Sequence, residues 1–155
     1  MNKPKIEVKN VKIADFASEE TLCFEATVYV NGVRAFKAEN DGRGGCNFYH
    51  PVSQQGKSLL KLCNDWLETL PEEEHMFGEE VFSLQPDLDI FLGDMIADWE
   101  LNKKLKRDCR TKTLFRMPED AKGEFYEFKT PYGARIKAHI MAKYPTAEII
   151  NERFL

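Results

Sequence analysis

The stretch Thr21-Leu22-Cys23-Phe24-Glu25-Ala26-Thr27-Val28-Tyr29-Val30-Asn31-Gly32-Val33-Arg34-Ala35-Phe36-Lys37-Ala38-Glu39 decides how this chain begins to fold. In its first half Leu22, Phe24, Ala26, Val28 and Val30 occur at every second position, the period of a strand that turns one face to a core. Asn31-Gly32 then supplies the favoured two-residue hairpin turn, because both central positions need positive φ. Val33 to Glu39 must return antiparallel. An uninterrupted register places Val30 beside Val33, Tyr29 beside Arg34, Val28 beside Ala35 and Thr27 beside Phe36. Upstream, Lys5 to Ile13 carries Ile6 and Val8, then Val11 and Ile13, so the alternation slips near Lys9-Asn10 and marks a bulged strand.

The hairpin leads directly into Asn40-Asp41-Gly42-Arg43-Gly44-Gly45-Cys46-Asn47, with Asn47-Phe48-Tyr49-His50-Pro51 as the far edge of this loop. Three glycines in four residues allow backbone conformations that other residues avoid, and Asn and Asp favour turns. Such a loop either aims N–H groups at an anion, with the Arg43 guanidinium added, or forms a structural corner. The anion reading makes Asn40, Asp41, Gly42, Arg43, Gly44 and Gly45 candidate binding residues for a small anion or a nucleotide. No Lys-Ser/Thr follows the glycines, so the loop lacks the usual phosphate-loop signature. Cys46 and His50 offer a thiol and a base, weak candidates for catalysis, since glycine N–H groups beside a thiol lower its pKa. Their spacing fits no common zinc pattern, and Cys23, Cys46, Cys63 and Cys109 form no Cys-x-x-Cys pair. No metal and no cofactor is expected.

Beyond the loop, Ser53 caps a helix on which Leu59, Leu62, Cys63, Trp66, Leu67 and Leu70 recur at helical spacing before Pro71. Glu72-Glu73-Glu74 reads as a polar connector, and Val81 to Leu84 as a short strand or packed loop. Pro86 opens a second helix, with Leu88, Phe91, Leu92, Met95, Ile96 and Trp99 as its apolar face. Thr111 to Arg116 and Glu124 to Lys129 read as strands, Ala134 to Tyr144 as a helix, and Thr146 onward as a last strand. The order βββααββαβ predicts an α+β fold, an antiparallel or mixed sheet with helices packed on it. At 155 residues the chain suits a single compact domain, residues 1–155.

Hydrophobic residues make up 43% and charged residues 31%, with no run near the roughly 20 apolar residues that a membrane helix needs. No apolar signal core follows the basic start, so the expected location is the cytoplasm. The net charge of −4 disfavours a general nucleic-acid binder, but its distribution is uneven. From Glu68 to Glu100 there is no Lys or Arg; then Lys103, Lys104, Lys106, Arg107, Arg110, Lys112 and Arg116 follow, opposed by Asp108 alone. An acidic first half and a basic end suit the dipole of the second helix, yet the basic run continues past that helix. Lys103, Lys104, Arg107, Arg110, Lys112 and Arg116 are therefore candidate binding residues for a polyanion or an acidic partner.

Phe16-Ala17-Ser18-Glu19-Glu20-Thr21, Asn40-Asp41-Gly42-x-Gly44-Gly45, Thr113-Leu114-Phe115-Arg116 and Glu148-Ile149-Ile150-Asn151 together resemble uncharacterised small proteins of bacteriophage and prophage genomes. The resemblance implies a setting, the host-cell cytoplasm, and a role in binding host or defence machinery. It carries no catalytic residue. No Gly-x-Ser-x-Gly elbow or His-Glu-x-x-His helix is present. With no catalytic motif in the residues, the resemblance implies a protein that binds a host or defence macromolecule, nucleic acid or protein, rather than an enzyme. The alternative is a nucleotide-binding or thiol-dependent enzyme that uses the glycine loop with Cys46 and His50.

Overall fold

In the computed structural model, which describes residues 1–155, Asn31 and Gly32 both adopt positive φ, 51° and 80°, and turn the chain as the sequence requires. Strand β1 (Ile6–Ile13), β2 (Phe24–Val30), β3 (Val33–Asn40) and β4 (Phe48–Pro51) form an antiparallel sheet in the order β1-β2-β3-β4. The bulge in β1 is present, with its register shift between Lys9 and Lys12 and Asn10 at φ 53°. Asn31 also ties β1 to the turn: its side-chain oxygen accepts from the Lys5 N–H at 2.9 Å, and its own N–H donates to the Lys5 carbonyl.

The hairpin register departs from the simple expectation after two pairs. Val30 pairs with Val33 and Tyr29 with Arg34, but Val28 faces Phe36 and Thr27 faces Lys37, so Ala35 is the extra residue of a bulge. The physical reason is burial. Without the bulge Phe36 would point away from the core; with it, Phe36, Ala38 and Asn40 all turn inward and are buried.

That inner face packs on α1 (Gln54–Glu68) and on the first turns of α2 (Leu88–Asp108). Ser53 caps α1 as expected, accepting from the Gly56 N–H at 2.9 Å. Cys63, Trp66 and Leu67 from α1, and Leu88, Leu92 and Ile96 from α2, close the core over Val28, Val30 and Phe36. Trp66 meets Phe91 edge-on at 5.6 Å. Helix α1 approaches β3 so closely at Gly56 that a Cβ there would overlap the Ala35 carbonyl oxygen.

The expected single domain meets a chain that divides into two compact units, Met1–Ile96 and Ala97–Leu155, with the boundary inside α2. The first unit also holds β5 (Glu73–Phe77) and β6 (Glu80–Leu84), a two-stranded hairpin: the expected polar connector Glu72–Glu74 runs into β5, and the strand alternative for Val81–Leu84 holds in β6. In the second unit β7 (Thr113–Arg116) lies between β8 (Tyr126–Phe128) and the short β9 (Glu148–Ile149), again antiparallel. Helix α3 (Ala134–Lys143) buries Ile140 against Phe115 and Ile149. The chain after β9 is a 3-10 turn over Ile150–Phe154 and not a continued strand. The α+β class is right, and all strand pairing is antiparallel; the expected element order lacked β4, β5 and β6.

Two outcomes check this packing. Gly56→Ala should cost about 1–3 kcal/mol in urea unfolding, since neither α1 nor the β3 backbone can yield without loosening the core. Burial pushes the Cys63 thiol up to about 11, whereas Cys46 is exposed. Iodoacetamide at about pH 8 should therefore modify Cys46 in the native protein and Cys63 only on unfolding, as read by peptide mass spectrometry.

Candidate functional site

The glycine loop starts from Asn40, whose side chain is buried at the end of β3. Its oxygen accepts from the Thr21 hydroxyl at 2.6 Å and the Gly42 N–H at 2.9 Å; its amide donates to the Gly45 carbonyl and the Asn47 side chain. The Gly42 carbonyl accepts from the N–H groups of Glu19, Glu20 and Thr21 at 2.9, 2.8 and 3.3 Å. Gly42 sits at φ 83°, and a Cβ there would overlap the Ala17 carbonyl oxygen. The group that approaches the loop is thus the segment from Ala17 to Thr21.

Four of the loop N–H groups, those of Gly42, Arg43, Gly44 and Asn47, bond within the protein. Arg43 N–H donates to the Asp41 carboxylate at 3.1 Å, Gly44 N–H to the Thr21 hydroxyl at 3.3 Å, and Asn47 N–H to Asp89 at the start of α2 at 3.1 Å. Tyr49 donates its hydroxyl to the same Asp89 carboxylate, and burial together with that bond holds its pKa well above the usual phenol range. Arg43, Asp41 and Gly45 are exposed, while Gly44 is half-buried. Beside the loop a cleft of about 400 Å³ is lined by Phe24, Phe48, Lys12, Glu25, Glu39 and Asp41 among others. Three carboxylates against one lysine give an anion little to gain there.

Cys46 is exposed, and His50 turns to the outer face of the sheet, its Nε2 3.0 Å from Glu39 Oε1. No thiol–imidazole hydrogen bond joins the two side chains of the thiol-enzyme alternative. No group of three His, Cys, Asp or Glu side chains converges as a metal-ligand set.

The basic candidates divide. Lys103 and Lys106 fall on one stripe of α2 headed by Trp99, since spacings of three and four residues return to the same helix face, and Arg110 follows in the turn just past the helix end. Lys103 Nζ lies 5.0 Å from the Trp99 ring centre. Trp99, Asn102, Lys103 and Lys106 join Arg153 and Phe154 around an open groove of about 710 Å³. A second cleft of about 280 Å³ shares Lys106 and Phe154 and adds Cys109, Arg110, Tyr132 and Asn151. Lys104 and Arg107 occupy the neighbouring flank of the helix, with Arg107 3.4 Å from Asp108. Lys112 is paired to Glu127 at 3.0 Å, and Arg116 donates to the Asp120 carbonyl at 2.7 Å, closing the turn after β7.

Reading the sequence for a core face assigned Trp99 to the interior and passed over Arg153 and Phe154. Trp99 is only half-buried and lines the groove. The recurrence of Trp99, Lys103, Lys106 and Arg110 was a usable signal, whereas nothing local announces Arg153 and Phe154. The charge follows the units: Met1–Ile96 holds nine Lys/Arg against seventeen Asp/Glu, net −8, and Ala97–Leu155 thirteen against nine, net +4. Comparison with models of known protein families, with curated protein sequences and with solved structures gives no match.

The glycine loop can be tested by stability. Gly42→Ala should cost about 1–3 kcal/mol or more, from positive-φ strain and the clash with Ala17. Arg43→Ala, an exposed side chain without an ion pair, should stay within about 0.5 kcal/mol of wild type. Comparable losses in the two variants, measured by chemical unfolding, would contradict a corner built on Gly42.

Proposed function

We propose that the Ala97–Leu155 unit binds single-stranded nucleic acid along the groove lined by Trp99, Lys103, Lys106, Arg110, Arg153 and Phe154. The observation that carries this reading is the presence of two accessible aromatic rings among cations on one surface. A base has an apolar face that stacks on an indole or phenyl ring, and its phosphate meets a cation at the rim. Lys103, Lys106 and Arg110 have no carboxylate partner, so a phosphate would not have to displace one. Arg153 is held by Glu148 at 2.7 Å, which fixes its guanidinium at the rim and reduces its free charge. The net positive charge of this unit adds a longer-range attraction for a polyanion, screened by salt.

Single strands are favoured over duplex because rings lining a groove reach unpaired bases and not stacked ones. A role in binding a host or invading nucleic acid agrees with the resemblance to small phage proteins, and with action in the host-cell cytoplasm. No helix is long and apolar enough to cross a membrane. The reading uses no catalytic group and assigns no reaction.

Fluorescence anisotropy with a labelled oligothymidylate and with duplex DNA tests the reading. Binding to the single strand should weaken with salt at a log–log slope of about −0.7 for each phosphate engaged. Trp99→Ala should cost about 1–3 kcal/mol of binding free energy through lost stacking. Lys106→Gln with Arg110→Gln should reduce the slope by about 1.4, whereas Arg107→Gln, on the neighbouring flank, should change it less. Absence of binding at about 20 mM salt, where phosphate contacts are strongest, would sink the proposal.

A further inference from the structure

The β5–β6 hairpin is the part of the chain that its own core does not use. Its strands pair from Glu73 with Leu84 to Phe77 with Glu80 across a two-residue turn at Gly78-Glu79. Nine of these ten strand residues are exposed, and His75 is intermediate. The exposed side chains include Met76 at 71%, Phe77 at 70%, Val81 at 56% and Phe82 at 43%. No other element packs extensively on the hairpin. It is fastened at its base by Gln85, whose side-chain amide donates to the Leu67 and Leu70 carbonyls at the end of α1 at 2.9 and 3.0 Å.

Strand alternation sorts these residues. One face carries His75, Phe77, Phe82 and Leu84, with Phe77 and Phe82 edge to face at 5.7 Å and with Glu73 and Glu80 at its two ends. The other carries Met76 and Val81 beside Glu74 and Ser83. Glu72, Glu73, Glu74, Glu79 and Glu80 surround this apolar surface with no Lys or Arg in the segment. Each strand has a neighbour on one side only, so each leaves an edge of unpaired backbone N–H and C=O groups. A two-stranded hairpin without a covering layer is marginal in water, and a third strand both satisfies an edge and widens the apolar face.

We infer that the β5–β6 hairpin docks a partner protein by accepting an extended segment in which Lys or Arg alternates with apolar residues. The added strand bonds backbone to backbone along a free edge, lays its apolar side chains on the face of Phe77, Phe82 and Leu84, and turns its cations to the opposite face, where Glu74 stands. A second copy of the hairpin is the poorer occupant, because pairing would bring ten glutamates together. This surface lies in the Met1–Ile96 unit and does not depend on the nucleic-acid reading.

The test uses the full chain and a labelled peptide that alternates lysine with valine and phenylalanine. Its glutamate counterpart, and a peptide of the same composition with its lysines grouped at one end, serve as comparisons. The alternating lysine peptide should bind best, and Phe77→Ser with Phe82→Ser should weaken it by about tenfold through lost apolar contact. Two charge reversals on the cation-facing side and next to it, Glu74→Lys with Glu72→Lys, should shift the preference toward the glutamate peptide. Both variants should keep the wild-type melting temperature within a few degrees, which separates a lost surface from a lost fold. Equal binding of the alternating and grouped lysine peptides, or no effect of the phenylalanine pair, would reduce the interaction to bulk charge and overturn the inference. Concentration-dependent self-association in sedimentation velocity, abolished by the phenylalanine pair, would overturn it in favour of a second copy.

Discussion

The Asn40 carboxamide holds the first unit together at the point where strand pairing gives out. It is buried, and all four of its hydrogen bonds are made within the protein, to Thr21, Gly42, Gly45 and Asn47. A buried polar group left without a partner costs about 1–3 kcal/mol, so the loop must deliver each of these partners at once. Gly42 meets that demand by turning at positive φ under the Ala17 carbonyl, while its own carbonyl gathers three N–H groups from the Glu19–Thr21 segment. Asn47 passes the constraint on to Tyr49 and Asp89, and so to the first turn of α2. Gly42 serves this corner.

The second unit solves the same problem with the same residue type. Asn151 is buried; its oxygen accepts from the Leu114 N–H at 2.8 Å, and its amide donates to the Cys109 and Lys112 carbonyls. It thereby joins the end of α2 to β7 and to the final 3-10 turn, where neither helix nor sheet supplies backbone partners. Asparagine suits both places because one side chain offers an acceptor and two donors without a charge to bury. Around this joint Phe115 stacks on Tyr126, Phe128 and Tyr144 with ring centres 5.3 to 5.8 Å apart. The short strands of this unit gain their stability from those aromatic contacts more than from ladder length.

Two surfaces remain outside these frameworks, and they carry opposite charge. The hairpin in the first unit combines apolar side chains with glutamates, and the groove in the second combines aromatic rings with lysine and arginine. Neither is explained by the folding of its own unit. Bulk charge would have obscured both, because the net −4 of the chain is a sum of −8 and +4 over the two units. The location of the charge, and the rings beside it, indicate what each surface suits.

By itself the sequence determined the features that depend on near neighbours: the Asn31-Gly32 turn, the bulge in β1, the Ser53 cap, the buried stripe of α1 and the α+β class. These follow from backbone preferences and from the periods of strand and helix, which are properties of a few consecutive residues. Tertiary structure decided what depends on distant partners. Phe36 reaches the core only because Ala35 is bulged out of register, and β4 is a strand only because β3 lies beside it. The β5 segment starts with glutamates and looks like a connector, and Val81 to Leu84 reads equally as strand or loop, until each is seen to pair with the other. Trp99 shows the helical period of a core residue, but beyond Ile96 the stripe leaves the first core, and its indole meets Lys103 and open space instead. The glycine loop was readable as a place where shape matters. The contacts that shape it come from Ala17 and Thr21, more than twenty residues away from the glycines they meet, because hydrogen-bond partners are chosen in space and not along the chain.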